Sequence, residues 1–495
     1  MRGRIFTLVL LFFFINAYIV YAEFTFIGYH PDAKTRDYEN GKNLRELQRF
    51  NGRLYIGYGE VGYENVSKRK FKIISYDPRI NEFVDENFSA DSDAILHYRL
   101  TGDKLYALYD DLGIEKSRFP GFAVLDINSN EWKKGEDVNN NVQVEHVYDV
   151  VSYGTYTWLV GQSIGYTEND SLSYQEKDQM QNDKIAEIWH SNNNIQWETI
   201  SEAIDKTTHV DPNPSQDLLF KGFGGSNYRF IFIYNNKLYV ELSNYFKGTD
   251  NYLPKKDGTN EPISTSIDRS THEVDNNDEW VHITGRSHVY DLINKTWNHL
   301  EIDLLPINPN SNPNFTEETH GLRYFALDAS VYKGTGWNPQ KFKDKIVYLN
   351  CLTTRQTPPV RTAGIDEEFS VAMQNYGLLY EFYINKDQEI VNVVRGGTEG
   401  KLSESIWDFT IDEKEETLYV LEGDGDIYYT SDLNNWHFFA KAPDGSMSIE
   451  ILNNILYIGA TNARLFSKSL IKGDFNQDGE LNLEDVIGIL KLLSN

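Results

Sequence analysis

A short motif that recurs along the chain restricts its fold more than any other feature. Each copy is an apolar strand, a polar turn, and a second strand opened by an apolar residue and an aromatic one. Short runs of Val, Ile, Tyr and Phe, separated by Asn, Asp and Gly turns, are typical of an all-β protein. We call the seven recurring aromatics the key aromatics; they are Tyr55, Tyr106, Trp158, Tyr239, Tyr348, Tyr419 and Tyr457.

A second motif follows the first in most units. It is a turn opened by Asp, Ser or Asn and closed by an aromatic residue, at 77–83, 126–132, 191–197, 291–297 and 431–436. The opening side chain is expected to accept hydrogen bonds from its own turn, and the aromatic to pack between sheets. The turns at 191–197 and 431–436 resemble degenerate Asp-box turns of sialidase-like propellers. That resemblance is limited to these turns and is structural rather than catalytic.

These repeats predict a seven-bladed β-propeller over residues 23–470. Units of about 40–50 residues with three or four short strands are typical of propeller blades. The spacing between key aromatics lengthens in the middle of the chain, which places insertions in blades three to five. The last unit offers three strands, and an additional strand at 24–29 precedes the first unit. Pairing of that strand with the last blade would close the ring. Six or eight blades, or a pair of β-sandwiches, are the alternatives.

The N-terminus predicts a secretory signal peptide over residues 1–22. Arg2 and Arg4 precede an apolar run, and the small-residue cleavage pattern lies at 20–22. The alternative is a membrane anchor, but the run is shorter than the roughly 20 residues that a spanning helix needs, and Asn16 interrupts it. We therefore expect a secreted protein, extracellular or associated with a cell surface, with no transmembrane segment in the mature chain.

The C-terminal segment, 471–495, predicts a calcium-binding loop followed by a short helix. Oxygen-bearing residues recur at alternate positions from 474, and Gly479 stands where an EF-hand-like loop turns sharply. The alternative is a surface turn before a helix. Ca²⁺ is a hard cation that prefers oxygen ligands. The predicted ligands are Asp474, Asn476, Asp478, Glu480 through its backbone carbonyl, Asn482 and Asp485.

This loop resembles one repeat of a type I dockerin, with Asp485 at the last loop position and Asn482 at the ninth. Dockerins bind calcium and anchor bacterial polysaccharide-degrading enzymes to cohesin-bearing scaffolds or cell surfaces. The resemblance implies Ca²⁺ as a cofactor, with Asn482 acting through water, and a cohesin-like scaffold or cell-surface protein as a partner. The chain has one such repeat where dockerins have two. Leu483 and Glu484 stand where dockerins often carry the small hydroxyl residues that contact cohesin.

Composition excludes several other classes of protein. The chain has 47 basic and 74 acidic residues, a formal net charge of −27, which would repel the phosphates of a nucleic acid. Cys351 is the single cysteine, so an intramolecular disulfide framework is excluded. The sequence contains no Gly-x-Ser-x-Gly elbow, no His-Glu-x-x-His and no phosphate-binding glycine loop.

Arginines near the starts of the expected inner strands are candidate ligand-binding residues, because guanidinium groups bind carboxylates well. They are Arg45, Arg99, Arg229 and Arg323. The alternative is that they pair with neighbouring acids such as Glu46. Trp280 and Trp337, in the expected insertions, are candidates for a sugar-stacking surface.

Three classes of function fit these features. The first is a secreted, calcium-binding propeller that binds an extracellular glycan or protein and is anchored by its tail. The second is a polysaccharide-degrading hydrolase or lyase, which needs two carboxylates about 5–10 Å apart. The third is a structural or interaction repeat protein. The dockerin-like tail favours the second class, and the missing catalytic motifs favour the first.

Overall fold

The described part of the chain contains seven four-stranded antiparallel sheets. Each is a meander whose hydrogen-bonded neighbours follow chain order, except at the seam where the ring closes. The computed structural model describes residues 24–59, 70–109, 121–164, 184–199, 227–243, 252–262, 287–304, 336–355, 373–402, 406–471 and 482–487, with breaks inside several of these ranges. The first strands of most neighbouring blades contact one another around a common axis. The seven-bladed prediction is confirmed.

The first strand of the chain, β1, covers Thr25–Tyr29, and two short 3-10 turns follow at Ala33–Thr35 and Asn40–Lys42. Blade one contains β2 (Glu46–Phe50), β3 (Arg53–Gly57), β4 (Phe71–Asp77) and β5 (Glu82–Ala90). Blade two contains β6 (Ile95–Thr101), β7 (Lys104–Tyr109), β8 (Phe122–Asp126) and β9 (Trp132–Lys134). Blade three contains β10 (Gln143–Tyr153), β11 (Tyr156–Ile164), β12 (Lys184–Ser191) and β13 (Glu198–Thr199).

Blade four is interrupted by a separate hairpin, so its strands are β14 (Asn227–Tyr234), β15 (Lys237–Ser243), β18 (Ser287–Asp291) and β19 (Thr296–His299). The hairpin strands are β16 (Tyr252–Pro254) and β17 (Asn260–Pro262). Blade five contains β20 (Gly336–Phe342), β21 (Lys345–Arg355), β22 (Met373–Asn385) and β23 (Gln388–Val393). Blade six contains β24 (Ile406–Asp412), β25 (Thr417–Glu422), β26 (Asp426–Thr430) and β27 (His437–Lys441). Blade seven adds β28 (Ser446–Leu452), β29 (Ile455–Ala460) and β30 (Arg464–Ser469).

The first strand of the chain completes the last blade. Strand β1 pairs antiparallel with β30, with Thr25 opposite Ser467, and so supplies the fourth strand of blade seven. The backbone N–H of His30 then donates to the carbonyl of Ala463 at 2.7 Å, which holds the following segment against the same blade. The closure predicted from the missing strand is therefore confirmed.

The key aromatics fill the spaces between blades. All seven are buried, and the ring of Tyr55 lies 5.7 Å from that of Trp132 in blade two. Across the closing seam, Tyr457 of blade seven lies 5.8 Å from Tyr76 of blade one. Burial of one such side chain contributes about 1.5–3 kcal/mol, and large rings fill a gap between twisted sheets. An aromatic recurs at this position because each pair of blades leaves a similar gap.

The turns opened by Asp cap themselves as predicted, whereas in the turn at 431–436 the capping residue is Asp432 rather than Ser431, which opens the turn. In the turn before β27, the carboxylate of Asp432 accepts hydrogen bonds from the backbone N–H groups of Asn435 at 2.8 Å and Asn434 at 2.9 Å. The hydrogen bonds from Asn435 contribute most to lowering the pKa of Asp432. Trp436, which closes the turn, is buried. Equivalent capping bonds are formed by Asp77, Asp126 and Asp291.

The strand ends that flank the long connections all lie at one face of the ring, which we call the insertion face. Strands in a meander alternate in direction, so every inner strand begins at the same face. The described strand ends on either side of 165–183, 200–226, 244–286, 301–335 and 356–372 lie there, because each of these stretches precedes a first or a third strand. They lie in or between blades three to five, as the spacing predicted. The opposite face carries short turns such as 51–52 and 235–236.

Both ends of the chain are described only in part. The predicted signal peptide and most of the predicted calcium loop, including Asp474, Asn476, Asp478 and Glu480, lie outside the described residues. Residues 483 and 485–487 are helical, and the backbone N–H of Asn482 donates to Oδ2 of Asp485 at 2.8 Å, which marks a helix start. Among the described residues, no helix has the length and apolar character needed to cross a membrane.

Candidate functional site

Buried polar side chains on the inner strands form two layers around the propeller axis. The near layer lies closer to the insertion face. Its members pair with the residue two positions after a key aromatic, and they include Glu46, His97, Asp149 and Asp408. The members of the far layer pair directly with a key aromatic, and they include Arg99, Thr410 and Glu450. All seven named side chains are buried. The channel of the ring is therefore lined by charged and polar groups.

Two near-layer carboxylates bridge neighbouring blades through backbone hydrogen bonds. Asp149 of blade three accepts the N–H of Ile231 in blade four at 3.1 Å. Asp408 of blade six accepts the N–H of Ile449 in blade seven at 2.9 Å, and each carboxylate also accepts the amide N–H of its own successor. A β-bulge precedes both residues in their strands, and bulges redirect side chains. The bulges thus aim these carboxylates at the next blade.

Arg99 crosses the axis of the ring. Its Nε donates to Oδ1 of Asp149 in blade three at 2.5 Å, and its Nη1 donates to Oδ1 of Asn338 in blade five at 3.1 Å. Blades two, three and five are joined by this one buried side chain. The sequence predicted Arg99 near the start of an inner strand, but it lies past the middle of β6 and in the far layer.

Burial perturbs the carboxyl groups of the channel. Burial raises the pKa of Glu46 well above its ordinary value, and the Asp408 carboxylate raises it further. The N–H of Tyr98 donates to Glu46, which partly opposes this change, and Nδ1 of His97 lies 3.8 Å from its Oε2. Burial also raises the pKa of Asp149 although Arg99 opposes it. Burial therefore disfavours the charged forms of Glu46 and Asp149, and the nearby Arg99 offsets part of that effect for both.

Arg49 and Glu450 join three blades deeper in the channel. Glu450 accepts the hydroxyl of Thr410 at 2.7 Å, and burial raises its pKa while Arg49 lowers it. Nη1 of Arg49 donates to the carbonyls of Ile411 at 3.0 Å and Ile451 at 3.2 Å. The guanidinium of blade one thereby binds the inner strands of blades six and seven.

The remaining predicted ligand-binding residues are placed only in part. Arg45 immediately precedes β2, where its backbone N–H donates to the carbonyl of Gly57 at 3.0 Å. Arg229 lies in β14 and Trp337 in β20, but their side chains are outside the description, as are the residues Arg323 and Trp280. Anion binding by the four arginines stays a prediction. Within the described part of the chain, no three His, Cys, Asp or Glu residues are arranged to hold a metal ion.

Sequence reasoning missed the near-layer acids, although a spacing signal marks them. Glu46 precedes Tyr55 by the same interval at which Asp149 precedes Trp158. Asp408 stands slightly further from its key aromatic because the first turn of blade six is longer. An acidic residue at a fixed interval before a key aromatic could therefore have identified the near-layer acids from the sequence.

The comparisons with known proteins give no family for the chain. No family model matches it, and no curated protein matches its sequence. The β-propeller domain of Cps50 (Swd1) from Myceliophteria thermophila has 9% identity and a TM-score of 0.45, and the match covers 90% of this chain and 100% of that one. The computationally designed Ika8 protein has 9% identity and a TM-score of 0.37, over 86% of this chain and 96% of the other. The GH32 β-fructofuranosidase BmSUC1 from Bombyx mori, crystallised with sucrose, has 9% identity and a TM-score of 0.30, over 72% and 60%.

The raised pKa of Glu46 leads to a pH-dependent prediction. An ionised Glu46 destabilises the folded state, so wild-type stability decreases as pH rises from the ordinary carboxyl range towards the raised pKa. Glu46→Gln keeps an oxygen that accepts the Tyr98 N–H but has no charge. We expect the variant to be more stable than wild type by about 1–2 kcal/mol at about pH 8 and equal to it at about pH 4.

Thermal unfolding across this pH range measures the difference. Glu415→Gln is the control, because Glu415 is exposed on the turn after β24. A Glu46→Gln variant that is less stable than wild type at about pH 8 would contradict the prediction.

Proposed function

We propose that the chain is a secreted, calcium-binding propeller that binds an extracellular glycan or protein at its insertion face. The observation that carries this proposal is that the strands flanking every long connection end at that one face. Binding residues concentrate on loops that a rigid scaffold positions. The hydrogen-bonded inner strands supply such a scaffold, because their buried polar side chains hold neighbouring blades together.

The contacts of the near-layer acids favour binding over catalysis. Asp149 and Asp408 are buried, and both oxygens of each carboxylate accept backbone N–H groups. A glycosidase instead presents two carboxylates to the substrate. A polysaccharide-degrading hydrolase or lyase is the second candidate, supported by the raised pKa of Glu46 beside Asp408, since paired acids with different environments perform general acid and base catalysis. A purely structural repeat protein is the third.

The tail is proposed to bind one Ca²⁺ and to anchor the protein to a cohesin-like scaffold or another cell-surface protein. The donor set from Asp474 to Asp485 consists of oxygens, which suits this hard cation. The carboxyl of Asp485 is buried at the helix start, where its hydrogen bond to Asn482 holds it. The dockerin-like and Asp-box-like assignments of the tail and of the 431–436 turn belong to this proposal.

A glycan array with a turnover readout tests the proposed function. We expect retention of one glycan class, or of a protein ligand in a parallel screen, without release of sugar products. The Arg45→Ala Arg229→Ala variant should bind at least about tenfold more weakly if these arginines contact the ligand. Lys133→Ala, on the outer strand of blade two, is the matched control.

Three results would contradict parts of this proposal. Release of products would instead support the hydrolase or lyase. Absence of all binding would support the structural repeat protein. Full binding by the double arginine variant would remove the arginines from the site.

Calcium binding is tested by calorimetric titration of the mature protein. We expect one Ca²⁺ per chain, with binding lost in Asp474→Ala and in Asp478→Ala, because these carboxylates repel one another until a divalent ion neutralises them. Asp444→Ala, outside the loop, is the control. Wild type that takes up no calcium at millimolar concentration, or variants that bind like wild type, would contradict the assignment.

A further inference from the structure

An exposed aromatic pair lies on the strand that closes the ring. Phe26 and Tyr29 of β1 are 46% and 45% exposed, and their rings meet edge-to-face with centroids 5.1 Å apart. Phe26 also contacts Phe466 of β30 at 5.4 Å. We call Phe26 and Tyr29 the closing-strand patch. Large aromatic side chains exposed side by side are a common feature of interaction surfaces.

Cationic side chains border this patch in an otherwise acidic protein. Nζ of Lys34 lies 4.6 Å from the centroid of Tyr29, and the guanidinium of Arg464 lies 5.6 Å from the centroid of Phe466. Arg464 donates to the carbonyls of Thr461 and Asp444. Among the described residues, neither Lys34 nor Arg464 forms a salt bridge. An apolar partner that carries acids would complement this surface.

The C-terminal segment of the same chain has this chemistry. Leu483, Val486 and Ile487 at the start of its helix are 71%, 49% and 42% exposed. The sequence that follows is apolar, with Ile489, Leu490 and Leu493, and the segment before and within the helix start carries Asp474, Asp478, Glu480 and Glu484. A helix of this length is marginal in water without a surface to pack on. The chain therefore holds an acidic, apolar helix and a cation-bordered aromatic patch.

The path of the chain allows the C-terminal helix to reach the closing-strand patch. The tail leaves the ring at the end of β30, which is hydrogen-bonded to β1, and Phe26 pairs with Phe466 near that exit. Phe466 lies roughly 10 Å along the strand from Ser469. With the proposed calcium loop free of its ion and extended, the linker between 471 and 482 spans up to roughly 35 Å. The patch is well within reach of the helix.

We propose that the C-terminal helix of this chain docks on the closing-strand patch of the same molecule, with the side chains of Glu480 and Glu484 facing Lys34 and Arg464. The contact covers the strand pair that closes the ring. It lies on the outer strand of blade seven, where Tyr29 pairs with Arg464 at the insertion-face end, and it requires no bound ligand. Docking would give the isolated helix the packing partner that its sequence lacks.

Hydrogen exchange of the full mature protein tests the docking. In Phe26→Ser Tyr29→Ser the helix sequence is unchanged, so a loss of packing appears as exchange at least about tenfold faster in residues 483–493. Lys34→Glu should accelerate exchange in the same residues through charge repulsion, while leaving the β1 strand intact. Phe438→Ser, an equally exposed aromatic on blade six, should change nothing.

Two outcomes would overturn the proposal. Exchange in 483–493 that neither the patch variant nor Lys34→Glu alters would show that the helix does not use this surface. Protection that increases with protein concentration would show that a second copy, rather than the same molecule, occupies the patch. Unfolding midpoints of the variants, measured alongside, identify any that open the ring.

Discussion

Deletion of residues 23–30 is expected to lower the midpoint of thermal unfolding by on the order of 10 °C. The deletion removes the fourth strand of blade seven and leaves β30 with an unpaired edge. It also removes the buried His30, whose Nδ1 accepts the N–H of Ala33 at 3.0 Å and whose own N–H bonds to Ala463. Each lost backbone hydrogen bond costs about 1 kcal/mol, and the exposed apolar surface adds to this.

Scanning calorimetry and binding of a hydrophobic dye measure this effect. The matched control is Phe26→Ala Tyr29→Ala, which keeps the backbone pairing of β1 while removing its exposed rings, and which should retain most of the stability. A truncated protein that unfolds at the wild-type temperature would mean that the β1–β30 pair does not hold the ring closed.

Loss of Asp149 is expected to cost about 4 kcal/mol of unfolding free energy. Asp149→Ala leaves the buried guanidinium of Arg99 without its carboxylate and removes the acceptor of the Ile231 N–H. An uncompensated buried charge is far more costly than a lost surface ion pair. Asp85→Ala, which breaks the exposed pair between Asp85 and Lys72, should cost less than about 1 kcal/mol and is the control.

A double variant separates two contributions to the unfolding free energy: the cost of leaving a buried charge unpaired, and the net stabilisation by the ion pair between Arg99 and Asp149. In Arg99→Met Asp149→Leu both charges are absent, so we expect most of the lost stability to return. Burial raises the pKa of Asp149 despite the nearby Arg99, which indicates that desolvation outweighs the attraction between the two groups. Urea unfolding of Arg99→Met, of Asp149→Leu and of the double variant gives the coupling free energy between the two side chains. A double variant as unstable as Asp149→Ala would contradict this account.

The blade pattern could be predicted from sequence because it depends on local interactions. Tyr55 and its counterparts follow a tight turn, and each faces a gap between sheets of similar shape, so the same residue type recurs. The strand at 24–29 was predictable because one blade lacked a strand. Both inferences needed only neighbouring residues and the rule that sheet edges are covered.

The channel could not be predicted in the same way, because its contacts join residues far apart in sequence. Arg99 meets Asp149 and Asn338 only because three blades converge on the axis. The bulge before Asp408 that turns its carboxylate to the next blade has no sequence signal of its own. Among 74 acids, Glu46 is distinguished only by its spacing from Tyr55.

Pairing of β1 with β30 also sets the order in which the molecule can be completed during synthesis. Blades one to six are local meanders, and each can form soon after its own strands emerge from the ribosome. Blade seven contains both the first strand to be synthesised, β1, and the last, β30. Every nascent chain that ends before β30 is complete is therefore an open ring with a free edge. The two ends are far apart in sequence, but the entropy cost of bringing them together is modest, because that cost grows only logarithmically with the number of residues enclosed. A cut that removes either β1 or β30 would return the finished protein to the same open state.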